Sequence, residues 1–131
     1  MEKPVIMCVD DDPSVLFSLK TELRSRFASR FQYETAENAH EALELIAELV
    51  NGSVKIVLVV SDWLMPGMKG DEFLTVVRRQ YPEIRAIMLT GQVDPLSSDN
   101  VLKNGLAEAI IAKPWNSKDL MDTIETICVP A

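Results

Sequence analysis

The chain has 131 residues, 47% of them hydrophobic and 25% charged, which is one domain's worth of sequence with enough apolar content for a core that needs no disulfide or structural metal. Thirteen basic against 20 acidic residues leave a net charge of −7, so the surface repels a phosphate backbone and direct nucleic-acid binding is not expected. The longest apolar runs, Val5 to Val9 and Ile56 to Val60, fall far short of the roughly 20 residues of a membrane span; with no visible secretory signal and two widely separated cysteines, a cytoplasmic protein is expected.

Short apolar runs alternate with stretches of helical period, the mark of βαβ units around a parallel sheet. Val5-Ile6-Met7-Cys8-Val9 forms a first strand. A helix should start at Pro13, since proline suits the first helical position and Asp12 can cap the free amides; Leu16, Leu19, Leu23 and Phe27 make its buried stripe. Phe31 to Thr35 alternates aromatic and polar residues, which suits a half-exposed edge strand and favours the strand order 2-1-3-4-5. Asn38 and Glu41 have capping-box spacing and open a second helix, with Leu43, Ile46, Ala47 and Val50 facing inward and Gly52 at its end. Ile56 to Val60 is the third strand. A third helix near Asp71 to Gln80 buries Phe73, Val76 and Val77. Ala86 to Leu89 is the fourth strand, Pro95 to Asn104 a fourth helix ending at Gly105, and Ala109 to Ala112 the fifth strand. The first, third, fourth and fifth strands are continuously apolar, as expected with helices on both faces. The fifth helix carries Leu120, Ile124, Ile127 and Cys128 on one side.

Open parallel sheets gather ligands beyond the carboxyl ends of their strands. There stand Asp10, Asp11 and Asp12 after the first strand, Asp62 after the third, Thr90 after the fourth and Lys113 after the fifth. In the order 2-1-3-4-5 these ends lie side by side. Asp10, Asp11 and Asp62 against Lys113 leave −2, which a divalent cation neutralises, and an all-oxygen donor set suits Mg²⁺. Singly, each of these residues reads as something plainer: Asp12 as a helix cap, Asp10, Asp11 and Asp62 as turn acids, Thr90 as a turn hydroxyl, Lys113 as a surface charge. Complementary chemistry at four neighbouring strand ends does not reduce to those readings. His40, the cysteines and the methionines are assigned to helices, strands and packing.

The constellation resembles the receiver domain of two-component response regulators, from about Pro4 to Cys128. Val9-Asp10-Asp11-Asp12-Pro13 is similar to the family's acidic opening, and Ser61 to Gly70 to its Asp-x-x-Met-Pro-x-x-x-Gly loop; Leu89-Thr90-Gly91 and Ala112-Lys113-Pro114-Trp115 complete the match. The resemblance implies a flavodoxin-like (βα)5 fold, Asp62 as phosphoacceptor, and Mg²⁺ held by Asp10, Asp11, Asp62 and the Leu64 backbone carbonyl. It also implies Thr90 as switch hydroxyl, Lys113 as phosphate contact, a small residue at Gly91 and a cis bond before Pro114. Two positions depart from the family's habit: Ile110 stands where an aromatic ring is usual, and Trp115 replaces a commoner Phe.

The function implied by this resemblance is that of a switch rather than an enzyme. It would take its phosphoryl group from a histidine kinase or phosphotransfer protein and signal through its fourth helix, fifth strand and fifth helix to an output domain, a downstream protein or a second copy. Thr90-Gly91-Gln92 with Lys113-Pro114-Trp115 resembles receivers joined to cyclic-dinucleotide phosphodiesterase, cyclase or kinase modules. Residues 1–131 read as one receiver, standing alone or with an output domain beyond residue 131. A haloacid-dehalogenase-like phosphatase shares the aspartate, Mg²⁺, threonine and lysine, but its nucleophile follows the first strand as Asp-x-Asp and it carries a cap insert. A degenerate receiver, used only for contacts, requires a missing site residue, and none is missing. Neither Gly-x-Gly-x-x-Gly nor a P-loop follows any strand.

Overall fold

The structure is a computed structural model that describes residues 3–91 and 95–129, with residues 95–97 described by their backbone only. Gln92 therefore lies outside the described residues. Five parallel strands form one sheet in the order 2-1-3-4-5: β1 (Val5–Val9), β2 (Gln32–Ala36), β3 (Ile56–Asp62), β4 (Arg85–Thr90) and β5 (Ala109–Ala112). The helices are α1 (Pro13–Phe27), α2 (Ala39–Asn51), α3 (Gly70–Gln80), α4 (Pro95–Lys103) and α5 (Ser117–Cys128).

The period of two along each central strand divides the core in two. Val5, Met7, Val9, Val59, Ala86 and Met88 face one way, onto Ala42 and Ile46 of α2, Phe73, Leu74 and Val77 of α3, and Val101 of α4. Ile6, Cys8, Leu58, Val60, Ile87 and Leu89 face the other, onto Leu16, Leu19, Leu23 and Phe27 of α1 and Leu120, Met121 and Ile124 of α5. A strand buried on both faces must be apolar at every position, which is why β1 and the centres of β3 and β4 read as unbroken hydrophobic runs.

Local chemistry sets the helix starts as expected. Asp12 caps α1 through Ser14, its Oδ1 accepting from the Ser14 amide at 2.9 Å and the hydroxyl at 2.7 Å, and Pro13 opens the helix. Asn38 Oδ1 accepts from the Glu41 amide at 2.8 Å, and Asn116 caps α5 in the same way at Asp119.

Several inward-facing assignments shift. Val50 is exposed, and α2 buries Ala39 and Ala42 alongside Ile46, because small residues let the helix lie close against the sheet. On α3 the buried partner of Phe73 and Val77 is Leu74, with Val76 half-buried. On α5 Met121 is buried, while Ile127 and Cys128 are half-buried towards the helix end. β5 is not covered like the central strands: it is the second sheet edge, half-buried along Ala109 to Ile111 and exposed at Ala112. β3 runs on to Ser61 and Asp62 and β4 to Thr90, so these polar residues close their strands instead of following them.

Candidate phosphoacceptor site

Parallel pairing brings the carboxyl ends of β1, β3, β4 and β5 to one rim. Asp10 follows β1, where its amide donates to the Ala36 carbonyl at 3.1 Å. Asp62 is the last residue of β3, and the next amide, that of Trp63, donates to Leu89 at 2.9 Å. Thr90 closes β4 opposite Ala112, and its carbonyl accepts from the Lys113 amide at 2.8 Å. The Lys113–Pro114 bond is cis.

The lysine reaches across this rim. Its Nζ lies 2.8 Å from Asp10 Oδ2 and 3.0 Å from Asp62 Oδ1, although Asp10 and Lys113 lie at opposite ends of the sequence. Asp10 is 1% and Asp62 7% exposed, so both carboxylates depend on such partners: a buried charge persists only when paired and hydrogen-bonded. The other Asp10 oxygen, Oδ1, accepts from the Asp12 amide at 2.9 Å. Asp11 is exposed, yet it offers an oxygen to the same cluster: Asp10, Asp11 and Asp62 each present one oxygen, all within 4.8 Å of one another.

Electrostatics follow from three carboxylates facing one ammonium. Burial pushes the Asp62 carboxyl above the usual carboxylate range, and the negative charges of Asp10 and Asp11 add to this against the pull of Lys113. Burial draws the Lys113 ammonium down, but its hydrogen bonds to Asp10 and Asp62 outweigh that and raise it. Both shifts are upward for different reasons, burial acting first on the Asp62 carboxyl and the carboxylate contacts acting on the Lys113 ammonium.

Oxygens around Mg²⁺ at about 2.0–2.1 Å lie up to roughly 4.2 Å apart, so the three carboxylates need only small side-chain movements to surround such an ion. They are hard donors, their net charge with Lys113 is −2, and they are the one acidic cluster of this kind among the described residues. The remaining metal-ligand types are committed elsewhere: His40 pairs on the surface with Glu44, and burial pushes the Cys8 thiol to about 12 and the Cys128 thiol to about 11, so neither is a thiolate at neutral pH.

The loop after Asp62 is turned back by Gly70, whose amide donates to the Trp63 carbonyl at 2.7 Å. A Cβ at Gly70 would run into the Asp62 carbonyl and stand 2.9 Å from Trp63 Cα. This close approach accounts for the glycine at the end of the Asp-x-x-Met-Pro-x-x-x-Gly pattern. Within the loop Met65 is buried, and the Leu64 side chain is 64% exposed beside the site. Among the described residues, a Cβ at Gly91 would meet nothing within 4 Å, so none of them crowds the space next to Thr90.

Rim position, donor set and glycine contact all match the pattern of one family, and the response regulator receiver domain model matches residues 6–125. The chain belongs to the response regulator receiver family. Among curated proteins, this receiver is 32% identical over 94% of its length to the hydrogenase transcriptional regulatory protein HoxA of Cupriavidus necator, of which it covers 24%. It is 34% identical over 88% of its length to the two-component response regulator ARR10 of Arabidopsis thaliana, covering 19% of that protein. The receiver thus spans a quarter or less of these relatives. Among solved structures, the signal receiver domain of an HD domain-containing protein from Pseudomonas fluorescens superposes with a TM-score of 0.83 at 27% identity, covering 96% of this chain and 94% of that one. A CheY-like receiver domain protein from Methanospirillum hungatei gives 0.80 at 32% identity, covering 95% and 93%.

Of the secondary positions, Ile110 is half-buried on the α2–α4 side of the sheet and Trp115 half-buried on the α1–α5 side. The Trp115 indole donates to Glu22 of α1, 3.0 Å from Oε1 and 3.2 Å from Oε2. Glu22 carries no sequence signal: on a helix that shows charge on its outer face it reads as one more solvated acid, and its partner lies far away in the chain. No helix among the described residues is long and apolar enough to cross a membrane.

Proposed function

We propose that this receiver accepts a phosphoryl group on Asp62 from the phosphohistidine of a histidine kinase or phosphotransfer protein. The observation that carries the proposal is the Lys113 ammonium in contact with both Asp10 and Asp62, within a cluster of three carboxylates at the strand ends. In the reaction an Asp62 carboxylate oxygen forms a bond to phosphorus in line with the departing group, as the P–N bond to the donor imidazole breaks and its electron pair returns to nitrogen. Lys113 sits beside the attacking oxygen, where its charge stabilises the equatorial phosphoryl oxygens as they gather charge. Asp10, Asp11, Asp62 and the Leu64 carbonyl are the groups that would hold Mg²⁺, which supplies the remaining neutralisation of phosphate charge. The open space at Gly91 leaves the donor a path beside Thr90. Water attacking phosphorus later returns Asp62 and inorganic phosphate, so the only reactions this domain promotes are on itself.

An aspartyl phosphate carries more negative charge and more acceptor oxygens than the carboxylate it replaces. Thr90 and Lys113, at the ends of β4 and β5, are positioned to respond, and the surface of α4, β5 and α5 is the proposed output face. With Ile110 in place of an aromatic, the change there is a small repacking around Ile110 and Trp115. The partner on that face is an output module, a downstream protein or a second copy of the chain; the sequence kinship of Thr90-Gly91-Gln92 with Lys113-Pro114-Trp115 favours a cyclic-dinucleotide phosphodiesterase, cyclase or kinase module.

Intact-mass measurement with phosphoramidate and Mg²⁺ tests the reading. Wild-type protein should gain one phosphoryl group and Asp62→Asn none. Wild-type protein that stays unmodified across donor and Mg²⁺ concentrations overturns it.

A further inference from the structure

We propose that Glu22 is a positioning residue for Lys113, acting through the indole of Trp115; this rests on the phosphoacceptor reading of the site. Lys113, Pro114, Trp115 and Asn116 form the short connection between β5 and α5. It is held at the lysine amide by the Thr90 carbonyl at 2.8 Å and at the lysine tip by Asp10 and Asp62. Beyond Pro114 it is held by the Trp115 indole N–H on the Glu22 carboxylate. Glu22 stands on α1, the helix that opens directly after Asp10 to Asp12, and on the same helix Arg26 pairs with Asp122 and Glu125 of α5. The tryptophan contact thus links the Lys113 connection to α1 in the helix's second half, and one turn farther along the Arg26 pairs join the same helix to α5.

The reaction itself makes the indole contact matter. Before phosphorylation the lysine ammonium has two carboxylate partners. Once an Asp62 oxygen bonds phosphorus, the ammonium must turn to phosphoryl oxygens while Asp10 alone holds it from the protein side. The placement of the lysine backbone then decides how well the charge is aimed, and transition-state electrostatics are sensitive to such placement. Trp115 is half-buried against the α1–α5 core, so phenylalanine can fill much of its space while removing the donor. Glutamine at position 22 keeps an acceptor oxygen and removes the charge.

The test is the rate of phosphorylation of the full chain by phosphoramidate with saturating Mg²⁺, followed by intact mass, with melting temperatures alongside. Glu22→Ala and Trp115→Phe should each slow the reaction about three- to tenfold, the rate equivalent of one hydrogen bond. The double variant should be no slower than either single one, and Glu22→Gln should stay within about twofold of wild type. In a Lys113→Ala background, Glu22→Ala should cause no further loss, which separates positioning of the lysine from a general loss of stability. A Glu22→Ala rate within twofold of wild type overturns the inference, as does the same fractional loss with and without Lys113. Glu22→Gln as slow as Glu22→Ala overturns the hydrogen-bond route. Phosphorylation that persists in Asp62→Asn, or wild-type protein that takes no phosphoryl group, instead overturns the reading of the site beneath it.

Discussion

Replacing Gly70 with alanine opposes two effects of known size. Gly70 is the first residue of α3 and its φ lies outside the left-handed region, so its backbone suits alanine, and the reduced freedom of the unfolded chain alone would stabilise the protein by about 0.4–1 kcal/mol. Against this, the new Cβ would meet the Asp62 carbonyl, Trp63 Cα at 2.9 Å and Met88 Sδ at 3.0 Å. Two of those three neighbours are backbone atoms at the end of a central strand, which cannot step aside as a flexible side chain can, and overpacking of this kind costs roughly 1–3 kcal/mol or more. The clash wins, with a net loss of about 1–2 kcal/mol. For 131 residues the entropy of unfolding is about 0.28 kcal/mol/K, so Tm should fall by roughly 4–7 °C. The displaced atoms belong to Asp62 and the residue after it, so phosphorylation by a small donor should slow as well. Gly91→Ala is the control: its Cβ meets nothing within 4 Å among the described residues, and its stability should stay within about 0.5 kcal/mol of wild type. Calorimetry or circular dichroism reads both. A Gly70→Ala melting temperature at or above that of wild type would refute the steric account.

Asp62→Asn should abolish phosphoryl transfer yet raise the melting temperature at pH 7 in the absence of divalent cations. Because the folded-state pKa of Asp62 lies above its unfolded value, near 3.8, its contribution to stability is present below that value and is lost as pH rises through the folded pKa. The advantage of asparagine should therefore be full at neutral pH and shrink as pH falls through that window; thermal melts from pH 3.5 to 7 showing no such convergence count against the desolvation argument. Leu64→Asn should shorten the phosphorylated state severalfold, since an exposed leucine beside the site cannot orient a water by hydrogen bonding and asparagine can. Loss of the phosphoryl mass over time measures it, and equal or slower decay in the variant goes against that role.

The sheet and most of the site were legible because both rest on local chemistry. Strands buried on two faces must be apolar throughout, so β1, β3 and β4 announced themselves, and the polar residues that end those runs marked the rim. The caps at Asp12 and Asn38 were legible because a side chain two or three residues from its amide needs no tertiary information. The features that stayed hidden depend on neighbours far away in sequence. Val50 is exposed, and Leu74 takes the buried place expected of Val76, because helical period gives a stripe but not its centre; on α2 the small Ala39 and Ala42 fix how the helix rotates against the sheet. β5 looks like a central strand by composition, and although the order 2-1-3-4-5 sets it at an edge, its half-buried and exposed positions show only in the structure. Glu22 was invisible for the same reason, since nothing within its own helix distinguishes it from any other solvated acid.

The two outer strands are short: β5 has four residues and β2 five, against seven in β3 and six in β4. An outer strand carries unpaired amides and carbonyls that can template pairing with a neighbouring molecule, and the hazard grows with its length and flatness. Here β5 is followed after one residue by Pro114, which has no amide hydrogen to extend a ladder, and β2 carries Glu34 at its middle. With a net charge of −7 adding long-range repulsion between copies, both margins are guarded against fibrillar self-association, so that the repacking proposed at β5 need not open a route to aggregation.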